Sequence, residues 1–301
     1  MAKVIMSQNE SLNFVRFASN SALVLYLCHA PHVSFNVWPV HLTNGKESTM
    51  RLGLCPVAKI VAVLLVLGAH HAQAAEIKLL SANAVKDAIT ELAAAFEKSS
   101  GHKVNIVWGG TVGLAKRANA GEAFDIILIG SDSIDKLLAD GKLAAGSRAD
   151  FAKSGVGIAV RSGLRKPKIS SAEAVRKAVL DAKSVAYSAG PSGAYVAELF
   201  NKLGIADQVK DKVKQPSSGA EVAQLLVRGE VDLAFAQVSE FIHVKGITYV
   251  GPLPPKIQNT TIYAAGLSAA APTPDAAKAF VKFIKSGKAA APIKKMGMSK
   301  G

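Results

Sequence analysis

Cysteine is almost missing from this chain. Among 301 residues only Cys28 and Cys55 occur, both in the first quarter. Everything after Cys55 is therefore barred from disulfide bonding, thiolate catalysis and cysteine metal ligation. Histidine thins out in the same direction, leaving only His102 and His243 beyond residue 75. Beyond residue 75 there is no His-Glu-x-x-His motif, no pair of histidines at metal spacing and no phosphate-loop lysine. The two late histidines read as surface residues, and no cofactor or metal is expected. Aromatic residues are scarce, at 6%, and no basic stripe is interleaved with them. That argues against nucleic-acid binding, which combines stacking faces with clustered cations.

Long apolar runs are also lacking. The most hydrophobic stretch, Ile60 to Ala69, is far shorter than the roughly 20 residues that a membrane span needs. It follows Met50-Arg51 and Lys59 and precedes Ala72-Gln73-Ala74. A basic start, a short apolar centre and a small-x-small end predict a secretory signal peptide over residues 50–75, cleaved after Ala74 or Ala75, and hence a periplasmic protein. Cys55 precedes the apolar run and follows Leu54, which disfavours a lipoprotein signal. Such a signal works only at an N-terminus, so residues 1–49 read as lying upstream of a true start at Met50, or as a disordered extension.

What is present is positive charge and a regular alternation of elements. The net charge is +14. From Glu76 onward 31 Lys and Arg face 20 Asp and Glu, set singly along helices except at Lys210-Asp211-Lys212-Val213-Lys214. They read as solvated faces, whose field speeds the arrival of an anionic ligand. Ile77–Leu80 predicts a strand. Val85, Ala88, Ile89, Leu92, Ala93 and Phe96 repeat at helical spacing and predict an amphipathic helix. Val104–Trp108 predicts a second strand, ending at Gly109-Gly110, with Thr111 as the N-cap of a further helix. Asp125–Ile129 is wholly apolar after its Asp, as in a parallel sheet covered on both faces. The rhythm restarts after Val156–Val160. Ser170–Glu173 and Ser217–Glu221 read as capping boxes. Strands are predicted over 184–187, 231–237, 247–251 and 261–267. Thr273 is expected to cap a last helix over 276–285 that begins with Pro274.

The strand, small or hydroxyl-rich turn, helix layout thus occurs four times: at Ser81–Ala84, Gly109–Thr111, Gly190–Gly193 and Ser217–Ala220. Two copies lie in each half of the segment after residue 75. Such turns gather at the C-terminal ends of strands in open α/β sheets, and helix N-termini there present free N–H groups to anions. Facing lobes could hold a small anion by charge-assisted hydrogen bonds worth roughly 1.5–3 kcal/mol each, without a buried Lys or Arg. An enzyme is the rival class. However, Gly190-Pro191-Ser192-Gly193 is not a Gly-x-Ser-x-Gly elbow, and neither histidine stands out as a base.

The same residues carry a resemblance. Leu79–Ala88, Phe96–Gly101, Gly110–Ala115, Ala120–Ile126, Gly190–Tyr195 and the helix Ala276–Phe283 together resemble the periplasmic solute-binding proteins of ABC importers, specifically the molybdate/tungstate-binding family, over Glu76 to Met298. The resemblance implies two doubly wound α/β lobes with a ligand cleft between them. Lobe 1 would be 76–157 plus 258–301 and lobe 2 would be 158–257, joined near Gly157 and near Pro254–Gln258. It implies a non-enzymatic, monomeric carrier that captures a molybdate-like oxyanion and delivers it to an importer permease; sulfate, phosphate or a small carboxylate is the alternative guest. The family's first-turn serine falls at Ala84, with Ser81 or Asn83 to compensate, and its second-turn serine falls at Thr111. Backbone donors of lobe 2 fall at Ser192, beside Gly193, and at Ala220. A tyrosine used by some members falls near Gln237, so that contact is missing.

Overall fold

The structure is a computed structural model that describes residues 74–301 and three strands within the first 27 residues. The signal-peptide stretch before residue 74 lies outside the described residues. The early strands, β1 (Val4–Asn9), β2 (Leu12–Ser19) and β3 (Ala22–Leu27), form a small antiparallel meander in the order β1-β2-β3. They belong to a unit of their own, Met1–His70.

The second unit carries the alternation read from the sequence. β4 (Glu76–Ala82) leads through a 3-10 turn to α1 (Lys86–Ser100), then β5 (Lys103–Gly109), α2 (Thr111–Asn119), β6 (Ile126–Gly130) and α3 (Ser131–Ala139). The long strand β7 (Ala149–Arg161) follows. Next come α4 (Ala172–Asp181), β8 (Val185–Tyr187), α5 (Pro191–Lys202), α6 (Ala206–Val209), β9 (Val213–Lys214), α7 (Gly219–Val227), β10 (Leu233–Gln237), α8 (Val238–Phe241) and β11 (Ile247–Pro252). β12 (Thr260–Leu267), α9 (Pro274–Lys285), α10 (Ala290–Lys295) and β13 (Ser299–Lys300) complete the chain.

One sheet path, β5-β4-β6-β12-β7-β10-β8-β9, runs through both lobes. β5, β4 and β6 are parallel, as are β10, β8 and β9. β12 runs antiparallel to β6 and β7, and β10 and β11 run antiparallel to β7. The lobes are therefore α/β with parallel outer strands and antiparallel central ones. β6 is apolar throughout because both its faces are covered, not because both its neighbours are parallel.

Each lobe has its own core. Lobe 1 packs α1 and α9 on the sheet through Ile89, Leu92, Phe96 and Phe280, with Phe96 and Phe280 edge to face. The α1 stripe is the predicted one, and Gly101 closes the helix at φ 76°. Asp125 is buried and accepts from the Lys78 N–H, the Thr273 N–H and the Thr273 hydroxyl. Three donors satisfy that carboxylate and tie β4, β6 and the start of α9 together. Thr273 is the N-cap residue of α9, as predicted, but its hydroxyl makes no capping bond and is committed to Asp125. Lobe 2 covers both faces of its strands, with Val175, Val196, Phe200 and Phe235 on one and Val222, Leu226 and Phe241 on the other.

The lobes meet along β7. Residues 149–155 of this strand pair with β12 and residues 156–160 with β10, so one continuous strand serves both sheets. The sequence reading started a new strand at Val156, and the structure places that residue in mid-strand. The return crossing, between β11 and β12, runs alongside. Gln258 there accepts from the Val156 N–H at 2.8 Å and donates to the carbonyls of Val156 at 3.0 Å and Leu253 at 3.3 Å. One side chain fastens the two crossings together.

Candidate functional site

The four turns come together because the strands before them end in register. Ala82 pairs with Gly109 and Ser81 with Leu128, so the turns after β4 and β5 lie side by side at one sheet edge. In lobe 2, Ala186 pairs with Lys214, which aligns the ends of β8 and β9. Residues from all four turns line one central cavity of about 20 Å³: Asn83 and Ala84, Gly109–Thr111, Gly190–Ser192, and Ser217–Gly219. By that measure a single water takes roughly 10–15 Å³, so the room is for a compact group. The lobes touch at its rim. A Cβ on Gly110 of lobe 1 would lie 2.7 Å from the Ser217 carbonyl oxygen of lobe 2, an approach that only glycine allows.

Thr111 and Ser192, on opposite lobes, thus face the same space, and both are almost fully buried. Thr111 is the first residue of α2 rather than its cap, and its hydroxyl accepts the Gly130 N–H at 3.2 Å. Ser218 caps α7, accepting from the Glu221 N–H, while the Glu221 carboxylate takes the Ser217 N–H and hydroxyl. This leaves the α5 and α7 N-termini aimed at the cavity from lobe 2 and the α2 N-terminus from lobe 1.

The remaining predicted residues lie elsewhere. Ser81 is fully buried in lobe 1, off the cavity wall, and its hydroxyl has no hydrogen-bond partner. Gly193 is buried in the first turn of α5, packed on the Ser188 backbone. Ala220 lines a neighbouring pocket of about 270 Å³, with Asn83, Lys86, His243 and Met296. Gln237 lies beneath the floor, its amide 2.8 Å from the Thr261 hydroxyl. With the amide oxygen turned to Thr261, its nitrogen donates to the Ser154 carbonyl at 3.0 Å. His102 accepts from the Ala75 N–H and stacks on Phe96, away from the cavity.

Sequence reasoning missed the two titratable groups on the cavity wall, Glu240 and Tyr263. No Lys, Arg or His lines it. Glu240 is the third residue of the short helix α8 and completes a capping box with Gln237. Its carboxyl accepts the Gln237 N–H at 3.2 Å and packs against Gly219. Burial nonetheless outweighs backbone hydrogen bonding and pushes the Glu240 carboxyl up to about 7. The Tyr263 phenol, on β12 of lobe 1, is pushed well above its ordinary value by burial and by the negative charge of Glu240, and so stays protonated. On the other side of Thr111 and Pro191 the cleft widens into a pocket of about 480 Å³ that includes Ser131, Ser133, Tyr195 and Thr260.

A guest enclosed between two α/β lobes, each offering helix N-termini and hydroxyls, is the design of a two-lobed solute-binding protein. Residues 77–299 match the family model of the bacterial extracellular solute-binding protein, and the chain belongs to that family. Its relatives carry different names. It is 33% identical to an aconitate isomerase from a Pseudomonas species over 226 residues, covering 73% of this chain and 86% of that one. It is 30% identical to the molybdate-binding protein ModA of Azotobacter vinelandii over 184 residues, covering 60% of this chain and 72% of that one. Among solved structures, the periplasmic molybdate-binding protein of Azotobacter vinelandii superposes with a TM-score of 0.65 at 21% identity, covering 74% of this chain and 98% of that one. That likeness bears out the two-lobed α/β fold expected from the sequence. Among the described residues, no helix is long and apolar enough to cross a membrane.

Proposed function

We propose that this protein captures a small organic carboxylate between its lobes outside the cytoplasm and delivers it to an ABC importer. The observation that carries the choice of guest is Glu240. The α7 N-terminus is one of the anion-binding positions that the sequence predicts, yet there the Glu240 carboxyl already sits against Gly219, the first residue of that helix. A bare inorganic dianion would meet that carboxyl as a like charge, with no cation on the wall to offset it. A carboxylate guest can share a proton with it. The flanking pockets, about 480 and 270 Å³, extend the cleft beyond what a compact tetrahedral ion fills and suit a guest with several carboxylates. Lys86 in the smaller pocket offers a positive partner to one of them. The relative named an aconitate isomerase supports a carboxylate from the side of sequence.

A second reading, a molybdate-like oxyanion as in the sequence-based expectation, is favoured by the central cavity's small volume and by the ModA relatives. Calorimetric titration of the purified protein with aconitate and other di- and tricarboxylates, and with molybdate, tungstate and sulfate, separates the two. Heat with the carboxylates alone supports the first reading. Heat with molybdate and tungstate alone supports the second.

A further inference from the structure

The geometry points to a chemical role for this cleft: Glu240 takes a proton from, and returns one to, a carbon atom of a bound unsaturated carboxylate. This inference rests on the carboxylate reading above and adds a reaction to it.

A general base needs reach and a proton affinity near the working pH. Glu240 has the reach, because its carboxyl lies on the wall shared by the central cavity and the side pocket. It has the affinity because burial lifts it to about 7, where carboxylate and acid forms coexist at neutral pH. Its position is fixed. Gln237 holds the carboxyl by its N–H group, and Gly219 has no side chain to push it aside. Fixing a helix cap explains that hold, but a cap alone has no need to face an enclosed cavity. The groups facing it are Tyr263 from β12, Lys86 and Asp87 from α1, and His243 beyond α8.

The step balances without a co-reactant. The Glu240 carboxylate removes a proton from the carbon between a carbon-carbon double bond and a carboxylate. The electron pair of the broken C–H bond joins a dienolate, whose charge falls on carboxylate oxygens of the substrate. Protonated Glu240 then returns the proton to either end of the three-carbon unit, which regenerates the substrate or yields the isomer with its double bond moved. Nothing is oxidised or reduced. Thr111, Ser192 and Ser218 line the same cavity as Glu240 and offer hydroxyls and N–H groups to that charge, the donors an oxyanion hole uses. Tyr263, held protonated, adds a donor on the same wall.

The test follows C–H to C–D exchange by proton NMR in D2O. The purified protein is incubated with trans-aconitate or itaconate, with tricarballylate as the saturated control, and each affinity is measured by calorimetry. The expected result is exchange in the unsaturated acids alone, at a rate that rises with pH up to about 7. Glu240→Gln keeps the hydrogen-bonding oxygen and should lower the exchange rate of the ligand-saturated protein, with occupancy set from calorimetry, by about 100-fold or more. Glu240→Asp, which withdraws the carboxylate, should give an intermediate rate, and it serves if the Gln variant does not fold. Binding without exchange overturns the inference and leaves the carrier reading standing. Exchange that survives in Glu240→Gln overturns the assignment of the base. Neither binding nor exchange with any of these acids overturns both readings.

Discussion

Gly219 and Glu240 are packed so closely that the Glu240 carboxyl fills the space a side chain at position 219 would need. One residue opens α7 in lobe 2 and the other stands in α8, so the carboxyl bridges the two helix starts. Gly219→Ala should therefore force the carboxyl out of its hold on the Gln237 N–H group. Overpacking of this kind costs about 1–3 kcal/mol. Urea denaturation should show a loss in that range, and ligand affinity should fall with it. An alanine variant as stable as the parent would mean that the carboxyl moves freely.

The pH dependence of stability follows from Glu240. Its carboxyl is raised in the folded protein, to about 7 against an ordinary 4.5, so the native state binds a proton more tightly than the unfolded chain does. For such a group, stability is greatest below about 4.5 and declines as pH rises through the window to about 7. Glu240→Gln removes this contribution. Midpoints of denaturation for the parent and the variant, measured across that window, should therefore diverge, with the parent losing ground as pH rises.

Gln258 should govern how the lobes move. It makes three hydrogen bonds to Val156 and Leu253 across the two crossings, and its oxygen also accepts the Asn259 N–H. At a net value of about 0.5–1.5 kcal/mol for each bond, Gln258→Ala should cost about 2–4 kcal/mol of stability. Hinge closure encloses the guest in proteins of this architecture, so ligand affinity should change as well, although Gln258 touches neither cavity wall. A variant with unaltered stability and affinity would remove Gln258 from the hinge.

Thr111 tests the site from lobe 1. Thr111→Ala removes a hydroxyl from the cavity wall and should weaken binding about tenfold, or about 1.4 kcal/mol, without unfolding the protein. Thr111→Ser keeps the hydroxyl and should bind nearly as well as the parent. Equal losses in the two variants would point to packing of the methyl group instead.

Local pattern made much of the fold legible. The α1 stripe, the apolar β6 and the four turns were readable because period, glycine and hydroxyl signals sit within a few residues of one another. Ser218 was recognisable as a cap for the same reason. The long β7 was not, because Lys153, Ser154 and Gly155 interrupt its apolar run; only pairing with β12 shows that the strand continues through them. Glu240 was invisible for a different reason. Its value to the site depends on burial and on the approach of Gly219 from 21 positions earlier in the chain, and no window around residue 240 contains that information. Tyr263 likewise reaches the cavity only because β12 crosses back beside β6. In the other direction, the resemblance offers Ser81 as a donor, while the structure buries it in lobe 1 off the cavity wall with its hydroxyl unpartnered.

The claim on which the rest depends is that opposing lobes close on one small anionic guest. Small-angle X-ray scattering of the purified protein, with and without saturating tricarboxylate, combined with calorimetry on the same samples, tests it most directly. The account predicts saturable binding of one anion for each chain and a smaller radius of gyration on binding, both weakened in Thr111→Ala. The absence of any heat or compaction with every organic carboxylate and inorganic oxyanion tried would contradict it.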